Sequence, residues 1–398
     1  MSDEKAAMSL STTNLSNNSL GFALFHYFPY GGLERDMLTI ARACQQRGHD
    51  ITIYTGGWQG DKPADMRVIE LPLRARSNHA RAHEFAVRLH KARDPKHAAM
   101  IGFNKMPGLD VYYAADTCFA AKAFEERNFF YRMTPRCLAY RALEKAVFAR
   151  DSHTEVLMIS NAQIDVYQRY YQTPRERLHL LPPGINRERV LPANYSELRP
   201  QLRAQYGLRE SDLLLLCVGS DYQRKGLDRA LRGIAALHEP LRSRVKLWVA
   251  GQDNEKPFRI LARTLGIDNQ VNFLGARDDV AQLLWAADAL VHLAYSENTG
   301  TVLLEGMVAG LPVIATDVCG YAHYIVDNAM GCVLGGAIAP NQVAETMARV
   351  LSESGAVWRE RSRTFAAKAD IFSMPQHAAD LIEQVAARRV QDRTGSRA

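Results

Sequence analysis

Two glutamates, Glu297 and Glu305, bracket a short polar stretch that follows the apolar run Ala289–Leu293. We expect the first in the loop after a parallel strand and the second inside the next helix. In open parallel sheets, ligands bind at the carboxyl ends of strands, and the first amides of a helix attract phosphate. The loop residues that could offer such amides are Asn298, Thr299, Gly300 and Thr301. Glu305 would then reach ribose hydroxyls. The alternative is that Glu297 only interacts favourably with the helix dipole and that Glu305 only faces solvent.

A basic turn with Arg224 and Lys225 lies between the apolar run Leu213–Val218 and the helical pattern Leu227–Leu237. Cations just before a helix N-terminus oppose the helix dipole unless an anion lies between them. Arginine offers a fork of donors and lysine a point charge, and together they suit a diphosphate. The alternative is a solvated basic turn. Because this turn and the Glu297 loop follow strands of the same half of the chain, together they favour a nucleotide site.

Two weaker signals lie in the first half of the chain. Gly31 and Gly32 follow the apolar run Phe22–Phe28 and would let the backbone approach a ligand closely. The pattern is not GxGxxG and does not support an NAD-type site; a tight turn is the alternative. Asp116 ends the apolar run Val111–Ala115 and is a candidate for facing a cleft between domains. Its alternative role is to cap the helix that follows.

The segment from Cys118 to Arg150 mixes aromatic and basic side chains within a helical pattern. This mixture suits an anionic membrane surface, with Arg132, Arg136 and Arg141 as the contacting residues. It also fits nucleic acid, or a helix with a core face and a solvated basic face. The chain has no recognisable nucleic-acid-binding module, so we expect no nucleic-acid partner.

Motifs for metal-dependent and hydrolytic chemistry are absent from the sequence. The chain has no Asp-x-Asp, no P-loop and no GxSxG, and its histidines have no ligand spacing. Its six cysteines form no CxxC pair, which indicates reduced core residues of a cytosolic protein. We therefore expect neither a catalytic metal nor a bound cofactor.

Short apolar runs alternate with helical patterns along the whole chain. This alternation predicts doubly wound α/β domains, and near-continuous apolar strands predict parallel sheets covered on both faces. Besides the runs above, we expect strands at Ile51–Tyr54, Val68–Leu71, Met100–Phe103, Val156–Ile159, Leu178–Leu181, Val245–Ala250, Val271–Leu274 and Val313–Ala315. Between and after these runs, we expect helices at Leu33–Gln46, Phe85–Arg93 and Ser373–Ala387.

The chain length fits two domains, since 398 residues correspond to roughly 150 residues per domain with some to spare. Two prolines and a glycine at 182–184 interrupt any strand or helix and mark the linker. The predicted organisation is a disordered extension at 1–19, Rossmann-like domains at 20–183 and 184–370, and a final segment at 371–398. That segment contains a helix returning toward the first domain, and a basic tail.

Composition and charge narrow the setting further. The net charge of +6 indicates an anionic partner. No stretch reaches the roughly 18 apolar residues that a membrane span requires. The polar N-terminus lacks the apolar core of a signal peptide. We therefore expect a cytoplasmic protein, at most peripherally attached to a membrane.

These motifs resemble those of the retaining GT-B glycosyltransferases, whose signature Glu-x7-Glu matches Glu297 and Glu305. The Arg224-Lys225-Gly226 turn and the linker at 181–185 also match. More narrowly, the chain is similar to the lipopolysaccharide core α-1,3-glucosyltransferases of Gram-negative bacteria. The similar stretches are YFPYGGL (27–33), GFNKMPGLDVY (102–112) and VCGYAHYI (318–325). The resemblance extends from about residue 21 to about residue 381.

The resemblance implies a GT-B fold, in which two Rossmann-like domains face a central cleft. The C-terminal domain would bind UDP-glucose, and the N-terminal domain would admit an inner-core heptose of a lipid A-core acceptor. The reaction would retain configuration without a metal, at the cytoplasmic face of the inner membrane. By this resemblance, Glu305 would hold the ribose, and Arg224 and Lys225 would bind the diphosphate. Glu297 and the loop Asn298–Thr301 would hold the donor sugar. Gly31 and Gly32 would lie against the phosphates, and Asp116 would lie near the reacting carbon or the acceptor hydroxyl.

Two residues depart from the family pattern. His26 stands where the pattern has lysine, and Glu34 where it has glutamine. The loop at Asn298 and Thr299 also varies within the family. These differences leave the identity of the donor undetermined, and UDP-GalNAc and UDP-GlcNAc are the alternatives to UDP-glucose. A nucleotide-sugar epimerase, or a nucleotide-sugar-binding protein without transfer, is the alternative from another class.

Overall fold

In the computed structural model, residues 18–29 and 31–395 are described, and they form two α/β domains. The disorder expected at 1–19 therefore falls almost wholly outside the described residues. Of that segment, Asn18 precedes the first strand and Ser19 begins it.

The first domain is built on a seven-stranded parallel sheet of order β3-β2-β1-β4-β5-β6-β7. Its strands are β1 (Ser19–Leu24), β2 (Asp50–Thr55), β3 (Arg67–Glu70), β4 (Ala99–Gly102), β5 (Val111–Ala114), β6 (Glu155–Met158) and β7 (Leu178–Leu180). The central strands β4 and β5 are buried along their whole length, as expected for a parallel sheet covered on both faces.

The second domain is built on a six-stranded parallel sheet of order β10-β9-β8-β11-β12-β13. Its strands are β8 (Leu213–Val218), β9 (Val245–Ala250), β10 (Val271–Gly275), β11 (Ala289–His292), β12 (Val313–Thr316) and β13 (Gly331–Leu334). The strand order reverses beside β8 in this sheet and beside β1 in the first. Both domains are thus doubly wound, as the alternation of apolar runs and helical patterns predicted.

Helices cover both faces of the two sheets. Those of the first half are α1 (Gly32–Gln46), α2 (Asn78–Ala92), α3 (Phe119–Glu125), α4 (Phe129–Arg132), α5 (Pro135–Phe148) and α6 (Asn161–Tyr171). Those of the second half are α7 (Tyr195–Gln205), α8 (Leu227–Ala235), α9 (Leu241–Arg244), α10 (Lys256–Thr264), α11 (Val280–Ala286), α12 (Thr301–Val308), α13 (Ala322–Asp327), α14 (Pro340–Ser352), α15 (Gly355–Lys368) and α16 (Met374–Gly395).

The chain passes between the two domains twice, at the Pro182–Gly184 segment and before α16. These crossings lie side by side, because the Ile185 N–H donates to the Ile371 carbonyl at 3.0 Å. Helix α16 then packs against α1 and β4. Its residues Ala378, Ala379 and Ile382 are fully buried in the core of the first domain.

The structure differs from the sequence-based expectation at the ends of several elements. The first strand runs over Ser19–Leu24, not Phe22–Phe28, because the Phe25 N–H leaves the ladder and donates to Asn104 Oδ1 at 2.7 Å. Helix α2 begins at Asn78 rather than Phe85, since its first two turns are polar and carry no apolar period. Helix α16 continues well beyond Ala387, where Arg388 pairs with Glu155 at 3.0 Å.

Two further features were missed or merged. Strand β13 was not predicted, because its short apolar run is bracketed by Gly331 on one side and Gly335 and Gly336 on the other, a pattern typical of turns. The aromatic and basic segment 118–150 is three helices, not one. Asn128 and Thr134 cap the second and third of them, each accepting from a backbone N–H three residues on.

Candidate functional site

The carboxyl ends of the two sheets face each other across a cleft. Among the described residues, three hydrogen bonds cross it, each from a residue near the start of a helix. Asn298 Nδ2 donates to the Ala115 carbonyl at 2.6 Å. Arg35 donates to Glu305 at 3.1 Å, and the Tyr321 hydroxyl donates to the carbonyl after β6 at 3.4 Å. The predicted site residues therefore lie where open α/β sheets bind ligands.

Glu297 is the centre of a charge cluster on the second domain. Its carboxylate pairs with Lys225 Nζ and, at 3.3 Å, with Arg224 Nη1. The Nε2 atom of His292, the last residue of β11, lies 3.3 Å from Glu297 Oε2, the oxygen that also pairs with Lys225 and Arg224. Burial alone would raise the pKa of Glu297, but the hydrogen bond from His292 and the charge of Lys225 outweigh it and hold that pKa well below its ordinary value. Glu297 is thus an anion at neutral pH, and His292 donates to it.

The basic turn is fixed against the Glu297 loop by its backbone. The Arg224 carbonyl accepts from the Tyr295 N–H at 2.8 Å. Gly226, with φ of +72°, caps α8, and a Cβ added there would lie 1.8 Å from the Leu293 carbonyl oxygen. Only glycine permits this approach. The turn therefore brings Arg224 and Lys225 to Glu297, as their positions after two strands predicted.

The start of α12 supplies the helix N-terminus expected near Glu297. Gly300 caps the helix in a left-handed conformation with φ of +81°, and no side chain bonds to the cap. Thr299 is buried, and its carbonyl accepts from the Tyr321 N–H at 2.8 Å. Thr301 thus begins a helix N-terminus of the kind that can bind a phosphate.

Glu305 is buried inside α12 and lies between two arginines. Arg35, at the start of α1 in the other domain, is 3.1 Å from its Oε1, and Arg189 Nε is 3.9 Å from the same atom. Arg189 Nε is itself buried and has no hydrogen-bond partner among the residues that the structure describes. Neither arginine was assigned a role from the sequence. Arg35 lies two residues after the stretch 27–33, which was a signal for its place near the site, whereas Arg189 ends a short 3₁₀ helix (Arg187–Arg189) that contains no motif.

Gly31 and Gly32 form the turn into α1. A Cβ on Gly31 would lie 1.7 Å from Glu34 Oε2, whereas one on Gly32 would meet no atom of the described residues within 4 Å. Gly31 therefore makes room for the buried Glu34 carboxyl. Burial raises the pKa of Glu34 to about 7. The first turn of α1 thus contains an acid whose pKa lies near neutral pH.

Asp116 lies at the end of β5, beside the bond from Asn298 to Ala115. Its side chain is exposed, and its carbonyl accepts from the Tyr167 hydroxyl at 3.1 Å. The alternative role as a helix cap is not observed, because Cys118 caps α3 through its sulfur atom. Within residues 18–29 and 31–395, the Asp116 carboxylate forms no hydrogen bond or ion pair, and it lies one residue from the contact between the domains.

A cavity of about 430 Å³ opens beside Glu297 and Asn298. Ser160 and Gln163 of the first domain line it on one side, and Glu297, Asn298 and His323 on the other. Its volume lies within the range of small-molecule sites, roughly 300–1,000 Å³. The cleft can therefore enclose a sugar next to Glu297.

The residues predicted to contact a membrane lie elsewhere, on α4 and α5. Arg132 donates to the backbone carbonyls of Ala123, Phe124 and Arg127 at 2.7–3.2 Å, so it organises the fold of this segment. Arg141 lies 4.7 Å from the Phe124 ring centre, and Arg136 5.7 Å from that of Tyr140. Large apolar side chains point outward instead, with exposures of 65% for Phe129, 80% for Phe130 and 63% for Met133.

Among residues 18–29 and 31–395, no three or more His, Cys, Asp or Glu side chains are grouped so as to hold a metal ion. In the same part of the chain, no helix is both long and apolar enough to traverse a bilayer.

Residues 199–372 match the model of the glycosyl transferases group 1. The chain is 43% identical over 371 residues to the lipopolysaccharide glucosyltransferase WaaG of Escherichia coli, covering 91% of this chain and 98% of that protein. It is 30% identical over 201 residues to the putative glycosyltransferase EpsD of Bacillus subtilis, about half of each chain.

Solved structures agree with these similarities. A crystal structure of WaaG, a glycosyltransferase involved in lipopolysaccharide biosynthesis, matches with a TM-score of 0.86 at 42% identity, covering 91% of this chain and 99% of that one. Anabaena HepE in complex with UDP-glucose matches with a TM-score of 0.71 at 16% identity, over 92% and 99% of the chains, which supports the fold alone. The chain is therefore a hexosyltransferase that belongs to the group 1 glycosyl transferases, in the family of the lipopolysaccharide glucosyltransferase WaaG.

Proposed function

We propose that this protein transfers glucose from UDP-glucose, in α-1,3 linkage, to a heptose of the lipopolysaccharide inner core, with retention and without a metal ion. The observation that carries the proposal is the Glu297 carboxylate held ionised by Lys225, Arg224 and His292 at the carboxyl ends of β8 and β11. Similarity to WaaG over almost the whole of both chains supports the choice of donor and acceptor.

The donor would lie mainly on the second domain. Its diphosphate would draw Arg224 and Lys225 partly away from Glu297 and accept from the first amides of α12. The Gly31–Gly32 turn would approach the phosphates from the first domain. Glu305 would hold the ribose hydroxyls, which requires it to exchange its bond with Arg35 for one to the sugar.

The reaction would break the bond between the anomeric carbon and the β-phosphate oxygen while the acceptor oxygen bonds to the same face. The acceptor proton passes to the departing phosphate oxygen, and UDP leaves. Arg224, Lys225 and the helix amides stabilise the charge that develops on UDP. Glu297 orients the sugar and stabilises positive charge at the reacting carbon. Asp116 lies near the reacting carbon or the acceptor hydroxyl.

Product analysis tests the donor and the stereochemistry together. The protein is incubated with heptose-terminated lipopolysaccharide and, separately, UDP-glucose, UDP-GalNAc or UDP-GlcNAc, and the product is examined by NMR. We expect only UDP-glucose to yield product, with an α-linked hexose on O3 of heptose. A β linkage would contradict retention. Transfer of another sugar would show that UDP-glucose is not the donor, and it would not contradict a retaining reaction. A free epimer formed without acceptor would favour the epimerase alternative.

We further propose that the protein binds peripherally to the anionic cytoplasmic face of the inner membrane through α4 and the start of α5. The exposed side chains of Phe129, Phe130 and Met133 would enter the headgroup region. Arg136 and Arg141 would lie near anionic lipids. Arg132 would act indirectly, because its donors hold the backbone of this segment.

Vesicle flotation tests the membrane contact. We expect the double variant Phe129→Ser/Phe130→Ser to bind phosphatidylglycerol-containing vesicles about tenfold more weakly or worse, because two large apolar side chains no longer leave water. The matched control is Val87→Ser/Ile260→Ser, which removes two exposed apolar side chains from α2 and α10. Equal binding by wild type and the phenylalanine variant would refute this contact.

A further inference from the structure

A basic loop follows β3, and the proposed function uses none of its residues. Residues 71–83 contain three arginines and two histidines and no aspartate or glutamate. The five are Arg74, Arg76, His79, Arg81 and His83, and we refer to them as the basic rim. The loop before α2 holds the first two, and the first two turns of α2 hold the others.

The basic rim lies on the cleft side of the first domain. A Cβ added to Gly56, after β2, would lie 2.7 Å from Leu73 Cδ1 and 2.7 Å from the Phe25 carbonyl oxygen. The Arg81 guanidinium lies 5.8 Å from the centre of the Phe25 ring. Phe25 directly follows β1, the strand that leads to Gly31 and Gly32. The rim therefore borders the same sheet edge as the candidate site, toward the outer strands β2 and β3.

The positive charges of the rim lack counter-ions in the described part of the chain. Arg74 and Arg76 are exposed, and no ion pair or side-chain hydrogen bond is formed by either guanidinium within residues 18–29 and 31–395. The next acid, Glu84, accepts from the backbone N–H groups of Arg74 and Ala75 at 2.8 Å each and pairs with Arg88. The nearest acid on β3, Glu70, pairs with a lysine at 2.7 Å.

We propose that the basic rim binds an anionic group of the acceptor saccharide, either a phosphate monoester or a carboxylate. The inference rests on the proposed function, in which the acceptor enters from the first domain. Guanidinium groups without a counter-ion match the fork of oxygens on such groups. Because the rim lies toward the outer strands, it contacts a part of the acceptor away from the reacting hydroxyl. It therefore strengthens acceptor binding and leaves the chemical step unchanged.

The test compares kinetic constants for a deacylated core oligosaccharide, which removes any contribution from a lipid surface. The variant Arg74→Ser/Arg76→Ser removes two rim charges, and Arg74→Lys/Arg76→Lys keeps them. The matched control, Arg232→Ser/Arg263→Ser, removes two exposed arginines near the far ends of α8 and α10. Each protein is also assayed with the oligosaccharide after phosphatase treatment and, separately, after reduction of its carboxyl groups.

We expect the serine variant to raise the KM for the acceptor about tenfold, as for the loss of charge-assisted hydrogen bonds, with kcat and the KM for UDP-glucose unchanged. The acceptor KM of the lysine variant should lie closer to that of the wild type, and the control should have the same acceptor KM as the wild type. Either phosphatase treatment or reduction of the carboxyl groups should abolish the difference in acceptor KM between wild type and the serine variant. The treatment that does so shows whether the rim binds a phosphate or a carboxylate. An unchanged acceptor KM, or a difference that survives both treatments, would overturn the inference.

The outcome also separates this inference from the proposed function. If wild type transfers no sugar to the oligosaccharide, the proposed function fails, and the rim is then tested by titration calorimetry with that oligosaccharide. Weaker binding by the serine variant than by the control would still support an anion site. Equal affinities would overturn it.

Discussion

Lys225 and Arg224 share one carboxylate, Glu297, and this arrangement determines what each residue can do. Three donors surround a buried anion, so Glu297 stays ionised through the neutral range. The same donors are the strongest candidates for the diphosphate of the donor. Exchange of partners within one cluster would couple the binding of phosphate to the release of Glu297 toward the sugar.

Lys225→Ala should lower kcat strongly, by roughly 10²–10³-fold, because charge that develops on the leaving group loses a preorganised cation. The KM for UDP-glucose should change less, since Arg224 and the amides of α12 still hold the ground-state diphosphate. Steady-state kinetics of glucose transfer provide the measurement. Lys368→Ala, an exposed lysine at the end of α15, is the control, and near-normal turnover of the Lys225 variant would exclude the assigned role.

Glu34 should make stability depend on pH. Its pKa rises from an ordinary 4.5 to about 7 on burial, so between these values the folded state binds more protons than the unfolded state. The resulting stabilisation is present at low pH and is lost as the pH rises through about 7. Relative to Glu34→Gln, wild type should therefore lose up to about 3 kcal/mol of unfolding free energy from about pH 5 to about pH 8.

Urea unfolding of both proteins across this range measures the difference. A constant gap between wild type and Glu34→Gln would mean that Glu34 titrates as it does in the unfolded chain. A gap that grows in favour of wild type with rising pH would mean that its pKa is lowered instead.

At the scale of elements, one buried ion pair holds the loop that carries Asp116. Lys105, after β4, donates to Glu144 of α5 at 2.6 Å and to the Thr117 carbonyl at 3.1 Å. Glu144 also accepts from the first two amides of α3 and from the Tyr171 hydroxyl. Burial alone would raise the pKa of Glu144, but the charge of Lys105 outweighs it and lowers that pKa. A single carboxylate thus joins β4, the Asp116 loop, α3 and α6.

Glu144→Gln should lower the free energy of unfolding by about 3–5 kcal/mol, because it leaves the buried Lys105 without a counter-ion. The double variant Lys105→Met/Glu144→Gln should be less destabilised than the sum of the two single changes. Urea midpoints measure both effects, with Glu176→Gln, an exposed glutamate, as the control. Additive changes would show that the two side chains do not interact.

The sequence predicted strands better than it predicted what joins them. Leu213–Val218 and Val245–Ala250 were placed without error, because continuous apolar runs are typical of buried parallel strands. Strand β13 was missed, since its run is short and bordered by glycines. Helix α2 was placed late, because its first turns carry the basic rim rather than an apolar period. Local patterns report burial, whereas these segments are determined by contacts with distant residues.

Some residues of the candidate site were predicted from the sequence, and others were not. Glu297, Arg224 and Lys225 were predicted to share a site, and the structure places them in contact. Arg35 and Arg189 were not assigned, because their relation to Glu305 arises from the packing of one domain and the linker against the other. No local spacing records that relation. The functional roles of all these residues remain predictions.

At the scale of the whole molecule, the cleft is held by contacts between groups that are themselves candidates for binding the donor. Asn298 bonds to the loop that carries Asp116, and Glu305 bonds to Arg35 of the other domain. A donor that engages Asn298 or Glu305 would therefore compete with these contacts and change how the domains meet. Closure around the donor would exclude water and limit its hydrolysis.

The central claim is that Glu297 and its cations transfer glucose from UDP-glucose to lipopolysaccharide without a metal. The most direct test is transfer of radiolabelled glucose to heptose-terminated lipopolysaccharide in the presence of EDTA. Wild type, Glu297→Ala and Glu345→Ala are compared, the last removing an exposed glutamate of α14. We predict label in the lipid fraction for wild type and the control and none for Glu297→Ala. No incorporation by wild type, or equal incorporation by Glu297→Ala, would contradict the account.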